Sequence, residues 1–461
     1  MKTFDIINPA TSAVLDRAPD ASVEEAQQAI EQSVAAFQPW KARTAFERSS
    51  ILRKWYELIL EDAETLARMM TQEMGKPITE SRGEVKYAAA FVEWYAEEAK
   101  RAYGDIVPTH AANKRLLVTR QPVGPVYAVT PWNFPAAMVT RKVAPALAAG
   151  CTVVLKPAEQ SPLTAIRLEE LWVKAGGPAG VFQVLTTSDP AAVSEAFFAD
   201  ARVRKLTFTG STEVGIKLYA KAAQTVKRVS LELGGHAPFI VFEDADIPQA
   251  VAQVMATKFR NAGQTCVCAN RVYVHERVSG PFAEAFAASV RGLRVGDPMS
   301  DATQVGPLVD RQGLDKVAAH VDDAVSKGAT ALVGGQRRDG LYFDPTVLVN
   351  VTRGMRILEE ETFGPVAPIV GFTDEADAIR AANATPYGLA AYIWTRDLGR
   401  AFRVAEALDF GIVGVNDGLP AAPHAPFGGV KNSGIGREGG RWGLEEYLDV
   451  KYVSIVLPER A

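Results

Sequence analysis

Three stretches near the start of the chain repeat apolar residues at helical spacing. Residues 22–38 open with Ser22 and have Glu25 three positions on, the pattern of a capping box. Ala26, Ile30, Val34 and Phe37 then fall on one face. Residues 45–74 carry the stripe Ile51, Leu52, Trp55, Leu58, Ile59, Leu66 and Met70, which predicts one long helix ended by Gly75-Lys76-Pro77. A third helix is predicted from Ile78 to Tyr103, with Val85, Ala89, Val92 and Tyr95 together on one side. These helices come before any strong strand pattern and predict an outer layer over a later sheet.

From Leu116 the period shortens. Leu116 to Gln121 and Val126 to Thr130 read as strands, and a helix to Ala149 leads to the apolar run Cys151–Leu155. Strands at Val181–Leu185 and Lys205–Gly210 follow, each after a helix. This β–α–β–α alternation predicts a parallel, doubly wound sheet, with ligands beyond the carboxyl ends of its strands, where Asn133, Lys156 and Gly210-Ser211 stand. A second α/β run starts near Gly235, with strands at Phe239–Phe242, Val272–Val274, Ala331–Gly335, Pro368–Val370, Ala391–Trp394 and Gly411–Val415. Residues 426–440 are too glycine-rich for regular structure. Val450–Leu457 reads as a strand with nothing after it to pair with, suited to completing a sheet of another subunit.

Composition narrows the class. The chain has 461 residues, 48% hydrophobic and 23% charged, with a net charge of -4, which predicts a globular α/β enzyme of two or three domains. No stretch is long and apolar enough to span a membrane, and no basic cluster points to nucleic acid. The first residues, Met1 to Asp5, show neither a secretory core nor a transit pattern. Three cysteines at this length fit a reducing, cytoplasmic setting. No metal is assigned.

Two of those cysteines, Cys266 and Cys268, lie in the small, polar run Asn261-Ala262-Gly263-Gln264-Thr265-Cys266 and its continuation. A thiolate is a strong nucleophile where its surroundings lower its pKa or supply a base. Hydride leaves an sp³ adduct of an aldehyde far more readily than it leaves the aldehyde, and a cysteine can make that adduct. The step needs an oxyanion donor, and the thioester that remains needs a base to activate water. Asn133, between Trp132 and Phe134, supplies an uncharged donor. Glu232, between Leu231 and Leu233, is a carboxylate whose burial would raise its pKa toward that of a general base. Phe208-Thr209-Gly210-Ser211 ends a strand in a glycine turn before a helix, where Ser211 and helix amides suit a pyrophosphate, although the usual dinucleotide glycine pattern is absent.

Together, Pro131-Trp132-Asn133-Phe134-Pro135, Lys156-Pro157-Ala158-Glu159, Phe208-Thr209-Gly210-Ser211-Thr212, Leu231-Glu232-Leu233-Gly234-Gly235, Gly263-Gln264-Thr265-Cys266, Glu360-Glu361-Thr362-Phe363-Gly364-Pro365 and Pro426-Phe427-Gly428-Gly429-Val430-Lys431 resemble the aldehyde dehydrogenase superfamily over nearly the whole chain. The resemblance implies a Rossmann-type cofactor domain (1–103 and 123–234), an α/β catalytic domain (235–432) and a small β oligomerisation flap (104–122 and 433–461), assembled as a homodimer or homotetramer. It implies Cys266 as nucleophile, Glu232 as base, and Asn133 with the Cys266 amide as oxyanion hole. Trp132, Lys156, Glu159, Gly210, Ser211, Glu361 and Phe363 would meet the cofactor. Lys142 and Glu438 match a proton-relay pair.

Glu159 predicts NAD, because a carboxylate accepts from ribose hydroxyls and repels a 2′-phosphate; NADP stays open through Lys156. Within the superfamily the chain is similar to succinate-semialdehyde dehydrogenases, by Thr140-Arg141-Lys142-Val143, Lys258-Phe259-Arg260-Asn261 and Cys266-Val267-Cys268-Ala269-Asn270-Arg271. That likeness implies Arg141 and Arg260 as a clamp for the substrate's distal carboxylate, and Cys268 as a redox partner of Cys266. The loop Leu419 to Ala425 departs from the serines of such relatives. The expected activity is oxidation of succinate semialdehyde to succinate through a Cys266 thiohemiacetal and thioester. The alternatives are a neutral, aromatic or longer aldehyde, release of the thioester by coenzyme A, and a non-catalytic binding or structural member of the fold.

Overall fold

A computed structural model describes residues 2–458. Met1, in the assigned cofactor-binding segment, and residues 459–461, at the end of the assigned oligomerisation segment, lie outside the described residues.

The predicted doubly wound sheet is present. Its strand order is Gly434–Ile435, Arg228–Glu232, Lys205–Thr209, Val126–Val129, Val153–Lys156 and Phe182–Val184, all parallel except the first. From Val126–Val129 the chain winds outward in one direction to Phe182–Val184 and then returns to build the other direction. The reversal leaves a crevice at the carboxyl ends of Val126–Val129 and Lys205–Thr209. Side chains alternate across the sheet. Val126, Ala128, Val153 and Leu155 face a core with Trp55, Phe91 and Leu147, whereas Tyr127, Val154 and Leu206 face Ile30 and Phe197 on the other side.

The second sheet has seven strands, in the order Thr330–Val333, Thr346–Val349, Val366–Phe372, Ala269–His275, Ala237–Val241, Ala390–Trp394 and Ile412–Val415. Only Thr330–Val333 runs antiparallel to its neighbour. Phe239 and Val241 pack on Val254 and Phe286, and Ile240 and Phe242 pack on Ala378 and Val404, so this sheet too is covered on both faces.

Several expectations are corrected. The helix over 45–74 is two helices, Ala45–Glu61 and Ala63–Met74, separated at Asp62, whose carboxylate takes the Arg167 guanidinium at 2.7 and 2.9 Å. The helix expected to reach Tyr103 ends at Glu98, with one 3-10 turn to Arg101. A hairpin, Thr3–Ile7 with Val14–Pro19, precedes the helices. The glycine-rich stretch contributes the strand Gly434–Ile435, which pairs with Glu232 and Leu231. The terminal strand, Leu448–Val456, has a partner within the chain: it pairs antiparallel with Lys114–Pro122 along its whole length, in a three-stranded sheet completed by Asp105–Val107. The capping box at Ser22 and Glu25 forms as expected at the start of Val23–Ala42.

Candidate active site

The helix Ile247–Phe259 delivers Arg260 and then breaks into a left-handed turn, with φ of 51° at Asn261, 54° at Ala262 and 75° at Gly263. Non-glycine residues adopt this region at a cost of about 1 kcal/mol each. The surroundings hold it in place. Glu80 accepts the Asn261 amide at 2.8 Å, the Asn261 side-chain amide donates to the Asn133 carbonyl at 3.1 Å, and the Gln264 side-chain amide donates to the Asn261 carbonyl at 3.0 Å. A Cβ on Gly263 would run into the Gly364 carbonyl, so the glycine there is a steric requirement. The turn sets Cys266 half-buried, with the Gly235 Cα against its carbonyl, where any side chain would collide. The Tyr392 hydroxyl donates to the next carbonyl, that of Val267, at 2.7 Å.

Burial pushes the Cys266 thiol up to about 12. Arg141 and Arg260 pull it down, and the carboxylates Glu361 and Glu232 add to the rise. The resting thiol therefore keeps its proton, and attack requires a base. Glu232 ends the strand Arg228–Glu232 with both carboxylate oxygens buried and without a hydrogen-bond partner among the described residues. Burial, and then the charge of Glu438, raise it well above the ordinary carboxylate range. Glu438 shows the opposite balance. Burial works against its charge, but Lys142 and Arg141, the latter at 2.7 Å, outweigh it and hold the pKa low. Lys142 also donates to the Thr209 hydroxyl at 2.6 Å. Two neighbouring carboxylates are thus split into one that stays ionised and one able to carry a proton, the arrangement that acid–base work requires.

Asn133 donates one side-chain N–H to the Gln264 carbonyl at 3.1 Å, which leaves the second for a developing oxyanion. Its own carbonyl accepts from the Lys76 ammonium at 2.9 Å. Lys76 is buried, pairs with Glu84 and lies 3.7 Å from the centre of the Phe134 ring. Glu84 accepts the amides of Ala136 and Ala137 at 3.0 and 3.2 Å, where the helix Ala137–Ala149 begins. Sequence reasoning missed Lys76, Glu80 and Glu84. The trace they leave is that Ser81, Glu84, Val85 and Ala88 share one buried face of the helix Ile78–Glu98, so polar residues interrupt an otherwise apolar stripe.

The residues assigned to the cofactor gather at the crevice of the six-stranded sheet. Trp132 follows Val126–Val129, Lys156 ends Val153–Lys156, and Gly210 and Ser211 follow Lys205–Thr209. Ser211 caps the helix Thr212–Ala223, accepting the Val214 amide at 3.3 Å, so the N-terminal end of that helix opens beyond the sheet. Lys156 pairs with Glu159, which is half-buried. Glu361 accepts the Gly235 amide at 3.0 Å, and burial pushes its pKa up to about 7. Phe363, at φ 54°, sets its ring edge-on to Trp132 with centroids 5.6 Å apart. His320 holds this segment, in contact with the Thr362 hydroxyl at 3.2 Å and the Glu360 carboxylate at 3.2 Å. An anion-binding helix end, a lysine–carboxylate pair and two aromatic rings around one crevice fit a dinucleotide.

A cavity of about 350 Å³ brings Cys266, Arg141 and Arg260 together with Phe134, Phe427 and Leu419. Arg141 lies over the Phe427 ring at 4.0 Å and is engaged by Glu438. Among the described residues no carboxylate is within ion-pair distance of Arg260, and its Nε is buried without a hydrogen-bond partner. Cys268 is apart from this cavity, buried, with its thiol donating to the Lys258 carbonyl at 3.6 Å; it and Cys266 are both free thiols.

Comparison with known proteins adds a family and relatives. The model described as "Aldehyde dehydrogenase family" matches residues 1–453. The chain is 52% identical over 458 residues to a succinate-semialdehyde dehydrogenase [NADP(+)] of Escherichia coli (strain K12), covering 99% of this chain and 95% of that one. It is 52% identical to a glutarate-semialdehyde dehydrogenase of Pseudomonas putida, covering 98% of this chain and 94% of the relative. A crystal structure titled as an NADP dependent enzyme from E. coli superposes with a TM-score of 0.98 at 52% identity, over 99% of this chain and 95% of that one.

Proposed function

The chain belongs to the aldehyde dehydrogenase family and is an NAD(P)-dependent oxidoreductase; on that premise we propose that it oxidises a short aldehyde ending in a carboxylate, with succinate semialdehyde as substrate. The observation that carries this reading is the cavity that holds the Cys266 thiol and the unpaired Arg260 guanidinium within one small volume. A guanidinium fork there suits a carboxylate. The E. coli and P. putida relatives, named for four- and five-carbon semialdehydes, support the same chemical class.

In this mechanism the Cys266 proton passes to solvent as the thiolate adds to the aldehyde carbon. The free N–H of Asn133 and the Cys266 amide hold the oxyanion of the thiohemiacetal. Lys156, Glu159, Ser211 and Glu361 would hold the dinucleotide in the crevice, where it would supply the hydride acceptor. Trp132 and Phe363, edge-on to each other, would border its reacting end. Glu232 then removes a proton from water, which releases the acid from the thioester. Glu438, held ionised by Lys142 and Arg141, raises the pKa of Glu232 and so favours its uptake of that proton.

Initial rates with succinate semialdehyde and with butanal test the substrate class. Wild type is expected to prefer the semialdehyde, and Arg260→Ala to lose about 10²-fold in kcat/KM for it, as expected when a charged hydrogen-bond partner is removed. Butanal turnover should change little. Equal rates for both aldehydes in both proteins would sink the carboxylate assignment.

Glu159 supports a preference for NAD within the NAD(P) class. Its replacement by serine frees the Lys156 ammonium for a 2′-phosphate, and NADP is expected to gain about tenfold over NAD in kcat/KM. An unchanged ratio would place the discrimination elsewhere.

The six-stranded sheet is the proposed cofactor domain, and the seven-stranded sheet the catalytic one. Exposed apolar side chains on the three-stranded sheet, among them Ile106, Val450, Tyr452 and Val456, support assembly as a homodimer or homotetramer. Three free thiols support a cytoplasmic setting, and no helix among the described residues is long and apolar enough to cross a membrane.

A further inference from the structure

Five charged side chains line the substrate cavity: Lys76, Glu80, Glu84, Arg141 and Arg260. Lys76 and Glu84 pair with each other, and Arg141 pairs with Glu438. Arg260 and Glu80 remain. One oxygen of Glu80 accepts the Asn261 amide, the residue directly after Arg260, and its other oxygen makes no hydrogen bond among the described residues. The carboxylate is therefore anchored to the backbone next to Arg260 and lines the same cavity, beyond ion-pair distance of the guanidinium.

We propose that Glu80 is a specificity-determining residue, whose carboxylate opposes Arg260 inside the cavity so that its protonation state sets how strongly an anionic aldehyde is preferred over a neutral one. This rests on the carboxylate-bearing substrate proposed above and names the residue that tunes its recognition. With Glu80 neutral, the Arg260 charge is fully available to the substrate. With Glu80 ionised, the local positive charge is partly offset and an incoming carboxylate meets a like charge in the same cavity.

The surroundings put this titration in a useful range. Burial raises Glu80; Lys76, the Asn261 amide and Arg260 lower it, and Glu84 raises it, with the balance at about 7. The other ionisable groups on packed elements are Tyr87 on the same helix, Arg141 on the helix Ala137–Ala149, and the Cys266 thiol. Arg82 points outward to Glu64 and Asp301. An anion bound at Arg260 favours protonated Glu80, so uptake of the anionic aldehyde carries a proton with it. Preference for the anion is thus full below the Glu80 pKa and is lost as pH rises through it.

The test is the ratio of kcat/KM for succinate semialdehyde to that for butanal, from about pH 6 to about pH 8.5, in wild type, Glu80→Gln and Glu80→Asp. Ionisations of Cys266 and Glu232 act on both aldehydes and cancel in the ratio. The wild-type ratio is expected to fall about tenfold with rising pH, the scale of one partly screened charge. Glu80→Gln keeps an acceptor for the Asn261 amide but cannot ionise, so its ratio should stay high and flat. Glu80→Asp restores a titrating group and should restore the fall. A flat wild-type ratio, or a Glu80→Gln ratio that falls like wild type, overturns the proposal. A wild type with no preference for the anion at any pH overturns the carboxylate-bearing substrate, and the role of Glu80 with it.

Discussion

Cys266→Ala is expected to abolish aldehyde-dependent NADH formation, by at least about 10⁴-fold, while NAD binding stays near the wild-type level. The separation follows from the architecture. The crevice proposed for the dinucleotide is built from the ends of Val126–Val129, Val153–Lys156 and Lys205–Thr209, none of which includes Cys266. Cys266 comes from the turn after Ile247–Phe259, held by Glu80, Asn133 and Gln264 through backbone groups that an alanine at 266 does not disturb. Nothing else in the cavity replaces it. The nearest other thiol in sequence, Cys268, is buried away from the cavity, with its pKa raised by burial and its S–H on the Lys258 carbonyl. Fluorescence titration with NAD and steady-state absorbance at the NADH band measure the two properties separately. Surviving turnover would disprove covalent catalysis at this residue; lost NAD binding would mean that the alanine disturbs the cofactor crevice.

Glu232→Gln is expected to give one NADH per active site and then stall, with steady-state turnover lowered by about 10²–10⁴-fold, the usual contribution of a general base. Glutamine is nearly isosteric, and because the Glu232 oxygens have no hydrogen-bond partner among the described residues, the substitution breaks none of the site's bonds. Its pKa is raised by burial and by Glu438, so the ionised base appears only as pH rises through a value well above the ordinary carboxylate range. Wild-type deacylation should therefore accelerate with pH across that raised value, and the variant's residual rate should not show this rise. Stopped-flow absorbance resolves burst from steady state. A variant lacking the burst would place the essential role of Glu232 before hydride transfer, in deprotonating Cys266, and would leave deacylation to another group.

The residues proposed for the reaction could be picked out in the sequence. A thiol, a neutral donor and a carboxylate must converge, and Cys266, Asn133 and Glu232 stand in runs whose small, bulky or apolar neighbours suit those three roles. The sheet was legible for a similar reason, since buried parallel strands such as Val153–Lys156 are continuous apolar runs. The supports of the site were not. Lys76, Glu80 and Glu84 are charged residues near the start of a helix, a pattern that usually denotes a solvated face; only the packed structure shows them turned inward as a buried pair and a backbone cap. Arg141 reads alone as a carboxylate clamp, yet its guanidinium is engaged by Glu438, a residue 297 positions away in the chain. The partner of Leu448–Val456 was hidden because strand propensity gives no information about which distant strand will pair. The break at Asp62 was missed because its neighbours all favour helix.

The two late pairings have a consequence for how the protein is made. Gly434–Ile435 closes one edge of the six-stranded sheet beside Glu232, and the terminal strand lies along Lys114–Pro122, with Thr119 and Lys451 in hydrogen-bond contact 332 residues apart. On the ribosome, the first half of the chain emerges with the edge of its sheet at Arg228–Glu232 unpaired, and with the edge of Lys114–Pro122 away from Asp105–Val107 unpaired along its full length. Such edges invite association with other nascent chains. They are covered only when residues 434–456 have left the exit tunnel, so the nascent chain stays exposed to aggregation until that segment emerges.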